Sequence, residues 1–252
     1  MELDVNVDIY DNFSSEYIKV RLTEGALFNE HIESPVVRDF IKDIKSFKRV
    51  NVLDVGCGPG VYTKSFYKMG ANVVAIDPSE TMIDAARKYC GVSSGHGTYN
   101  IDFKPVKLMD YHNDRDFYLV LATFMLGYFD DLRSSFKKME EMLGRSGRIV
   151  TSSLHPERLF AVSKNDTGYL SGDNNRNKKY EADFLGKDAV IHLNKYSFEQ
   201  IFDAASDAGL KVTKMKEPLL PADYNYHDKL KVDFYSRNHS IAVFELKRKS
   251  KK

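Results

Sequence analysis

The stretch from residue 50 to about residue 127 alternates short apolar runs with segments of helical spacing, and this alternation constrains the fold more than any other feature. Residues 50–56 and 72–77 are two such runs. Apolar side chains at successive positions are typical of a strand that is buried on both faces of a parallel sheet. The pattern therefore predicts βαβ units and an α/β fold.

Seven strands with intervening helices are predicted along the chain. Glycines after the helical segments mark their ends, and Ser79 and Ser197 are placed to cap the starts of two helices. Between residues 155 and 195 the pattern gives way to a polar stretch that predicts a long loop. The strands are predicted at residues 50–56, 72–77, 103–109, 116–125, 148–154, 210–215 and 239–247, and the helices at 61–69, 79–90, 132–143 and 197–208.

The charge balance argues against a nucleic-acid partner. The 252 residues contain 37 Lys and Arg against 36 Asp and Glu, and the tail at residues 247–252 is strongly basic. The rest is mildly acidic, whereas nucleic-acid affinity comes largely from clustered cations. No apolar stretch approaches the roughly 20 residues needed to cross a bilayer, two cysteines cannot form a disulfide framework, and the acidic N-terminus is unlike a signal peptide. We expect a cytoplasmic protein with no membrane partner.

The densest pattern is Val-Leu-Asp-Val-Gly-Cys-Gly-Pro-Gly at residues 52–60. Glycine occupies every second position from Gly56 to Gly60, and Asp54 lies two residues upstream. Glycine at a strand-to-helix turn permits φ angles denied to other residues and lets a ligand approach the backbone. The helix that follows offers free N–H groups that suit a carboxylate or a phosphate. The nicotinamide fingerprint has a different spacing, with a glycine where this chain has Val61, so a dehydrogenase is disfavoured; a generic glycine-rich turn is the plainer alternative.

A second polar position agrees with the glycine-rich turn. Asp77 ends the second predicted strand, 17 residues after Gly60. A carboxylate at this place can accept hydrogen bonds from both hydroxyls of a ribose. Together, the turn and Asp77 predict a site for a cofactor that contains a nucleoside.

Residues 52–60 resemble motif I of the class I S-adenosylmethionine-dependent methyltransferases, and the resemblance covers roughly residues 50–154. It implies a single domain over residues 1–252, with a Rossmann-like seven-stranded sheet, helices on both faces and an antiparallel final strand. Residues 196–210 look more loosely like the branch that methylates small molecules. The resemblance therefore implies S-adenosyl-L-methionine as the cofactor and a small molecule as the substrate.

The resemblance also implies where the cofactor is held. Pro78 and Met82 would lie against the adenine. Asp110, at the end of the third strand, would accept a hydrogen bond from the adenine amino group, and Tyr111 would present its backbone N–H to the ring. Ala122 and Thr123, near the end of the fourth predicted strand, would touch the methionine portion. The implied cofactor residues in this part of the chain are Asp54, Gly56, Cys57, Gly58, Asp77, Pro78, Met82, Asp110, Tyr111, Ala122 and Thr123.

Residues 1–49 are predicted to form a helical N-terminal lid. Helical spacing brings four side chains within reach of one face, namely Tyr10, Phe13, Tyr17 and Arg21. In similar enzymes such a segment folds over the cofactor, and a Tyr or Arg meets the methionine carboxylate. This resemblance implies that role for Tyr17 and Arg21. An aromatic stripe packed against the domain is the alternative.

His155 directly follows the fifth predicted strand, and residues 156–195 are predicted to form an insertion near the substrate site. Because an imidazole titrates near neutrality, His155 is the candidate catalytic residue, as a base or a substrate contact. A hydrogen-bonded structural histidine is the alternative. The other histidines are too scattered for metal-ligand spacing, so no metal is predicted.

The sequence therefore predicts an enzyme that transfers a methyl group from S-adenosylmethionine to nitrogen or oxygen of a small molecule by in-line displacement. Two alternatives use the same cofactor. One is an enzyme that cyclises the aminobutyl portion of the cofactor, and the other is a non-catalytic cofactor-binding subunit that supports a partner. A transfer-RNA methyltransferase would need a basic face, against which the composition argues.

Overall fold

The computed structural model describes residues 5–22, 27–92, 100–112, 115–156, 158, 179–183, 185, 190–225 and 227–250. Most of the insertion predicted at residues 156–195 lies outside these ranges. Within them, no helix combines the length and the apolar character that crossing a membrane requires.

The strands in these ranges are β1 (Asn51–Val55), β2 (Asn72–Asp77), β3 (Ile101–Pro105), β4 (Phe117–Ala122), β5 (Leu143–Leu154), β6 (Lys179–Asp183), β7 (Val190–Asn194), β8 (Leu210–Lys216) and β9 (Ile241–Arg248). Seven of them form one sheet in the order β3-β2-β1-β4-β5-β9-β8. The pairings among the first five are parallel, whereas β9 lies antiparallel to both of its neighbours. The predicted α/β sheet with an antiparallel final strand is confirmed.

The helices are α1 (Val5–Asn12), α2 (Ser14–Leu22), α3 (Ser34–Ile41), α4 (Val61–Lys68), α5 (Glu80–Cys90), α6 (Leu132–Glu141), α7 (Phe198–Asp207) and α8 (Lys229–Arg237). A π-helical turn at Phe28–Glu33 precedes α3, and short 3-10 turns lie at Leu108–Asp110 and Leu126–Tyr128. Within the predicted lid, residues 5–22 and 27–41 are therefore largely helical, with a break between α1 and α2 at Phe13.

Helices cover both faces of the seven-stranded sheet. On one face, Phe136 of α6 and Ile201 of α7 pack in a cluster with Phe244 of β9. On the other face, Phe40 of α3 and Phe66 of α4 belong to a second cluster. All five side chains are almost completely buried. The strands between the clusters are therefore covered on both sides, as their apolar runs predict.

The two predicted helix caps are confirmed. Ser79 Oγ accepts a hydrogen bond of 3.0 Å from the backbone N–H of Met82 at the start of α5. Ser197 and Gln200 form a reciprocal capping box at the start of α7. The cap at Ser79 matters for the site because it fixes the turn by which the chain leaves β2 directly after Asp77.

Two strand boundaries differ most from the prediction, namely the end of β3 and the start of β5. β3 ends at Pro105, because the chain then turns into a 3-10 helix, and Asp110 consequently does not end a strand. β5 begins at Leu143 and includes two glycines that were expected to precede it. An added Cβ at Gly147 would lie 2.7 Å from the carbonyl oxygen of Phe117, so glycine is required where the pairing of β4 and β5 shifts register.

The polar stretch predicted as a loop contains the antiparallel hairpin of β6 and β7, which the sequence pattern did not predict. Strands of five residues give only a weak alternation. In β7, Ile191 and Leu193 are nonetheless buried, and aromatic side chains of the N-terminal helices pack against them.

Helix α8 was also missed. Only Val232 of this helix is buried, whereas Leu230 and Phe234 are exposed, so no apolar stripe marks it in the sequence. The available signal was its cap, because the Asp228 carboxylate accepts a hydrogen bond from the backbone N–H of Lys231.

Candidate functional site

A cleft of about 850 Å³ lies at the carboxyl ends of β1, β2 and β4. The strand order reverses between β1 and β4, and ligands of open α/β sheets bind at such a switch point. Seven of the predicted cofactor residues line this cleft, namely Tyr17, Gly56, Gly58, Asp77, Pro78, Met82 and Thr123.

The turn after β1 is tight, and its glycines serve different purposes. Gly56, Gly58 and Gly60 all have positive φ, of 67°, 51° and 86°. An added Cβ at Gly60 would lie 2.9 Å from the Cβ of Ala86, so this glycine lets the start of α4 approach α5. At Gly58 the nearest atom would belong to Tyr17, 4.0 Å away, so the backbone there borders the cleft. The turn therefore leaves main-chain atoms accessible to a ligand.

Asp77 lies beside this turn at the end of β2. Its Oδ2 accepts a hydrogen bond of 2.9 Å from the Gly58 N–H, and its Oδ1 accepts one of 3.0 Å from the Ser79 N–H. Burial raises the pKa of Asp77 to about 6, and these two bonds offset part of that rise. Each carboxylate oxygen has a second lone pair, so the side chain can hold the turn and accept hydrogen bonds from a ligand together.

A buried arginine lies behind the cleft wall. Arg21 of α2 is 9% exposed, and its Nε and Nη1 atoms have no hydrogen-bond partner within the described structure. The guanidinium interacts with the Tyr17 hydroxyl, which reaches the cleft, and with the charges of Glu33 and Asp54. Buried donors without acceptors are rare in proteins. They fit a ligand that brings a carboxylate, as S-adenosylmethionine does.

Glu33 is the carboxyl group that accompanies Arg21, and it is completely buried. Its Oε1 accepts a hydrogen bond from Ser152 Oγ, and its Oε2 accepts one of 3.2 Å from the Tyr62 hydroxyl. Burial raises the pKa of Glu33 to about 7, although the bond from Ser152 and the charge of Arg21 act in the opposite direction.

The titration of Glu33 gives a test of this cluster. The pKa of Glu33 rises from 4.5 to about 7 on folding, so protonated Glu33 stabilises the fold fully below pH 4.5, and this contribution is lost as the pH rises towards 7. Glu33→Gln removes the titration. Between pH 4.5 and 6.5 the parent should lose about 2 kcal/mol of unfolding free energy that the variant keeps. Urea unfolding of both proteins at the two pH values measures this difference.

The control for this measurement is Glu141→Gln, at an exposed position of α6. Its difference from the parent should stay within about 0.5 kcal/mol over the same range. A constant difference between the Glu33 variant and the parent would contradict the buried, proton-binding state of this carboxyl.

Three predicted cofactor residues support the cleft from behind its wall. Asp54 Oδ2 accepts a hydrogen bond of 2.6 Å from Thr63 Oγ1, which ties β1 to α4, and burial raises the pKa of Asp54 to about 6. Cys57 packs in a buried cluster under α5. Ala122 is completely buried, and its carbonyl oxygen accepts a hydrogen bond from Thr151. In the part of the chain that the structure describes, none of these three residues lines the cleft.

Asp110 and Tyr111 are not placed as the sequence predicted. Asp110 is exposed on a 3-10 turn, and the backbone N–H of Tyr111 donates to the carbonyl oxygens of Lys107 and Leu108. The ring of Tyr111 is buried in the core. Residues 106–109, which directly precede Asp110, line the cleft instead. The sequence pattern did not indicate them as cofactor residues.

His155 is not brought to the cleft. Its Nε2 lies 2.6 Å from Glu217 Oε1, its backbone N–H donates to the carbonyl oxygen of Ser240, and its ring meets Phe198 edge-on. The imidazole is buried and lines neither of the two cavities described here. The placement matches the structural alternative rather than the catalytic one.

The N-terminal helices form part of the cleft wall, where three long-range contacts hold α1. The Asn6 side chain exchanges two hydrogen bonds of 2.8 Å with the backbone of His192 in β7. Ser79 Oγ donates to Asp11, and the hydroxyls of Tyr10 and Tyr128 are 2.6 Å apart. These contacts place α1 across the cleft opening.

A smaller cavity of about 260 Å³ adjoins the cleft, and we call it the side pocket. The two cavities share five wall residues, namely Tyr10, Tyr17, Phe124, Tyr128 and Asn194. The side pocket is completed by Asn29, Gly127, Ser153, Leu154, Arg158 and Leu193. Leu193 and Asn194 belong to β7, a strand that no sequence motif marked.

Comparison with known proteins agrees with this geometry. Residues 52–147 match the family model of a methyltransferase domain. The ubiquinone biosynthesis O-methyltransferase of Bradyrhizobium sp. (strain ORS 278) is 28% identical over 137 residues, which are 53% of this chain and 53% of that protein. The chain thus spans about half the length of the curated relatives it matches.

Two solved structures share the fold. An S-adenosylmethionine-dependent methyltransferase from Mesorhizobium loti superposes with a TM-score of 0.64 at 17% identity, over 86% of this chain and 97% of that one. A protein from Pyrococcus horikoshii OT3 superposes with a TM-score of 0.66 at 18% identity, over 96% of this chain and 99% of that one.

The sheet order and the glycine-rich turn agree with the match of residues 52–147 to a methyltransferase domain. The predicted resemblance to the S-adenosylmethionine-dependent methyltransferases of class I is confirmed by this match and by the shared fold. S-adenosyl-L-methionine is the cofactor of this class. Within the described residues, no group of three or more His, Cys, Asp and Glu is arranged to hold a metal ion.

Proposed function

We propose that this chain transfers a methyl group from S-adenosylmethionine to nitrogen or oxygen of a small molecule, with residues 1–49 serving as the lid of a single domain. The observation that carries the proposal is one cleft that combines the turn at Gly56 and Gly58, the carboxylate of Asp77 and the Arg21 guanidinium behind Tyr17. Asp77 and Arg21 match the ribose and the amino-acid carboxylate of the cofactor, and the turn lets the cofactor approach the backbone.

Each of these groups has a defined task. Asp77 accepts hydrogen bonds from the ribose hydroxyls while it holds the turn through Gly58. Arg21 and Tyr17 receive the methionine carboxylate, for which the guanidinium nitrogens offer charged donors. Pro78 and Met82 form an apolar surface for the adenine.

When bound, S-adenosylmethionine would supply a methyl group on a cationic sulfur: the acceptor's lone pair would bond to the methyl carbon, the carbon–sulfur bond would break with its electron pair on sulfur, and the proton of a neutral acceptor atom would pass to water. The protein's part is to hold the acceptor in line with that bond. Burial raises the pKa values of both Tyr10 and Tyr128 well above their usual range, so these hydroxyls stay protonated at the junction of the cleft and the side pocket. Because the two hydroxyls are hydrogen-bonded to each other, only one O–H of the pair can orient the acceptor, and neither hydroxyl acts as a base.

Two observations support a small-molecule acceptor. The side pocket that adjoins the cleft has room for a small molecule of roughly one ring. The curated relative from Bradyrhizobium is named for an O-methyl transfer in ubiquinone biosynthesis.

The test is incubation of the purified chain with S-adenosylmethionine labelled at the methyl group and a small-molecule extract of the source cell. We expect S-adenosylhomocysteine together with a labelled compound of low mass. Formation of methylthioadenosine would instead indicate cyclisation of the aminobutyl portion. Cofactor binding without any product would indicate a non-catalytic subunit, and label found only in RNA or protein would contradict a small-molecule acceptor.

A further inference from the structure

We propose that the side pocket binds the methyl acceptor and selects a planar, single-ring molecule that carries a carboxylate. This inference rests on the proposed function and specifies its substrate class. It combines three features of the pocket, which are its position and size, its aromatic walls, and the presence of Arg158 on the wall that is not shared with the cleft.

The position and size of the pocket come first. Tyr10, Tyr17 and Tyr128 line both the side pocket and the cleft, so the two cavities adjoin at these rings. A molecule in the side pocket therefore meets a cofactor in the cleft at these tyrosines. The volume of about 260 Å³ is below the usual range of pockets for drug-sized ligands, so the acceptor is limited to about one ring with short substituents.

The walls favour a flat, unsaturated body. Tyr10 and Tyr17 meet edge-on with their ring centroids 5.0 Å apart, and Phe124 and Tyr128 add two further rings. Leu193 contributes an aliphatic surface from β7. Aromatic side chains in this arrangement present faces and edges on which a planar ring packs well.

Charge at the unshared wall specifies an anion. Arg158 lines the side pocket, and its guanidinium also lies 5.4 Å from the ring centroid of Tyr235, which holds it over an aromatic face. A planar guanidinium matches a carboxylate with two parallel hydrogen bonds. An acceptor thus binds with its carboxylate at Arg158 and its methyl-accepting atom at the tyrosines.

Benzoate and benzamide provide a matched pair of probes, because they have the same size and ring but differ in charge. Each is titrated by ligand-observed NMR into the full chain loaded with S-adenosylhomocysteine, whose own binding is measured first by calorimetry. We expect benzoate to bind at least tenfold more tightly than benzamide to the parent. In Arg158→Gln this ratio should fall to near one, with benzamide and S-adenosylhomocysteine binding unchanged.

Arg145→Gln is the control, because Arg145 is exposed at the opposite end of the sheet, and this variant should keep the parent's ratio. Equal binding of the two probes to the parent, no benzoate binding at millimolar concentration, or a preference that survives in Arg158→Gln would each overturn the inference. If S-adenosylhomocysteine binds and an extract compound is methylated, such a result leaves the proposed function standing. Failure of S-adenosylhomocysteine to bind would contradict both the proposed function and this inference.

Discussion

Replacing Asp77 with alanine is expected to weaken S-adenosylmethionine binding about 100-fold, which corresponds to about 3 kcal/mol. The carboxylate accepts backbone hydrogen bonds from Gly58 and Ser79, and we expect it to accept two more from the ribose. Alanine removes both sets, so the variant loses direct contacts and the support of the turn. The measurement is calorimetric titration of parent and variant with the cofactor.

The matched control is Asp84→Ala, which removes an exposed carboxylate from α5 that pairs with Arg87. This variant should bind the cofactor as the parent does. Circular dichroism and urea unfolding would establish that both variants are folded. Parental affinity in a folded Asp77 variant would remove this residue from the cofactor site.

The second large effect is expected from Gly60→Ala, which should lower the unfolding free energy by about 2 to 4 kcal/mol. Gly60 has a φ of 86°, which disfavours any side chain. An added Cβ would also lie 2.9 Å from the Cβ and 3.1 Å from the Cα of Ala86, so backbone as well as side-chain atoms must move. Urea unfolding of parent and variant measures the loss.

Gly91→Ala separates the two causes, because Gly91 has a φ of 74° but no atom within 4 Å of an added Cβ. Its loss should be about 1 to 2 kcal/mol, the conformational part alone. The excess at Gly60 then measures the close approach of α4 and α5. Equal losses at the two positions would show that the contact with Ala86 adds nothing.

The central strands and their caps could be predicted from the sequence because their signals are local. β2 occupies the predicted residues 72–77, since its apolar run ends at Asp77 and Ser79 caps the next helix. The glycine-rich turn likewise places Gly56 and Gly58 on the cleft wall. A strand that is buried on both faces needs apolar residues at successive positions, and these residues are visible in the sequence as an apolar run.

The rest depended on contacts between distant parts of the chain. The pair of hydroxyls at Tyr10 and Tyr128 joins residues 118 apart in sequence, and the hydrogen bonds between Asn6 and His192 join residues 186 apart. No local periodicity encodes such pairings. The side pocket, which is built from these elements, therefore emerged only from the structure.

Two misplacements have a similar origin. The apolar residues before Asp110 are divided between β3 and a 3-10 turn, and the sequence does not show where the first ends and the second begins. His155 follows β5 as predicted, but Glu217, 62 residues further on, engages its imidazole away from the cleft. The position of a residue after a strand thus indicates the edge of the sheet but not which cavity its side chain reaches.

The most direct test of the central claim is a crystal structure of the chain soaked with S-adenosylhomocysteine. The account predicts density in the cleft of about 850 Å³, with the ribose hydroxyls at the Asp77 carboxylate and the amino-acid carboxylate at Tyr17 and Arg21. Density for the compound at another surface, or an empty cleft at millimolar ligand, would contradict it.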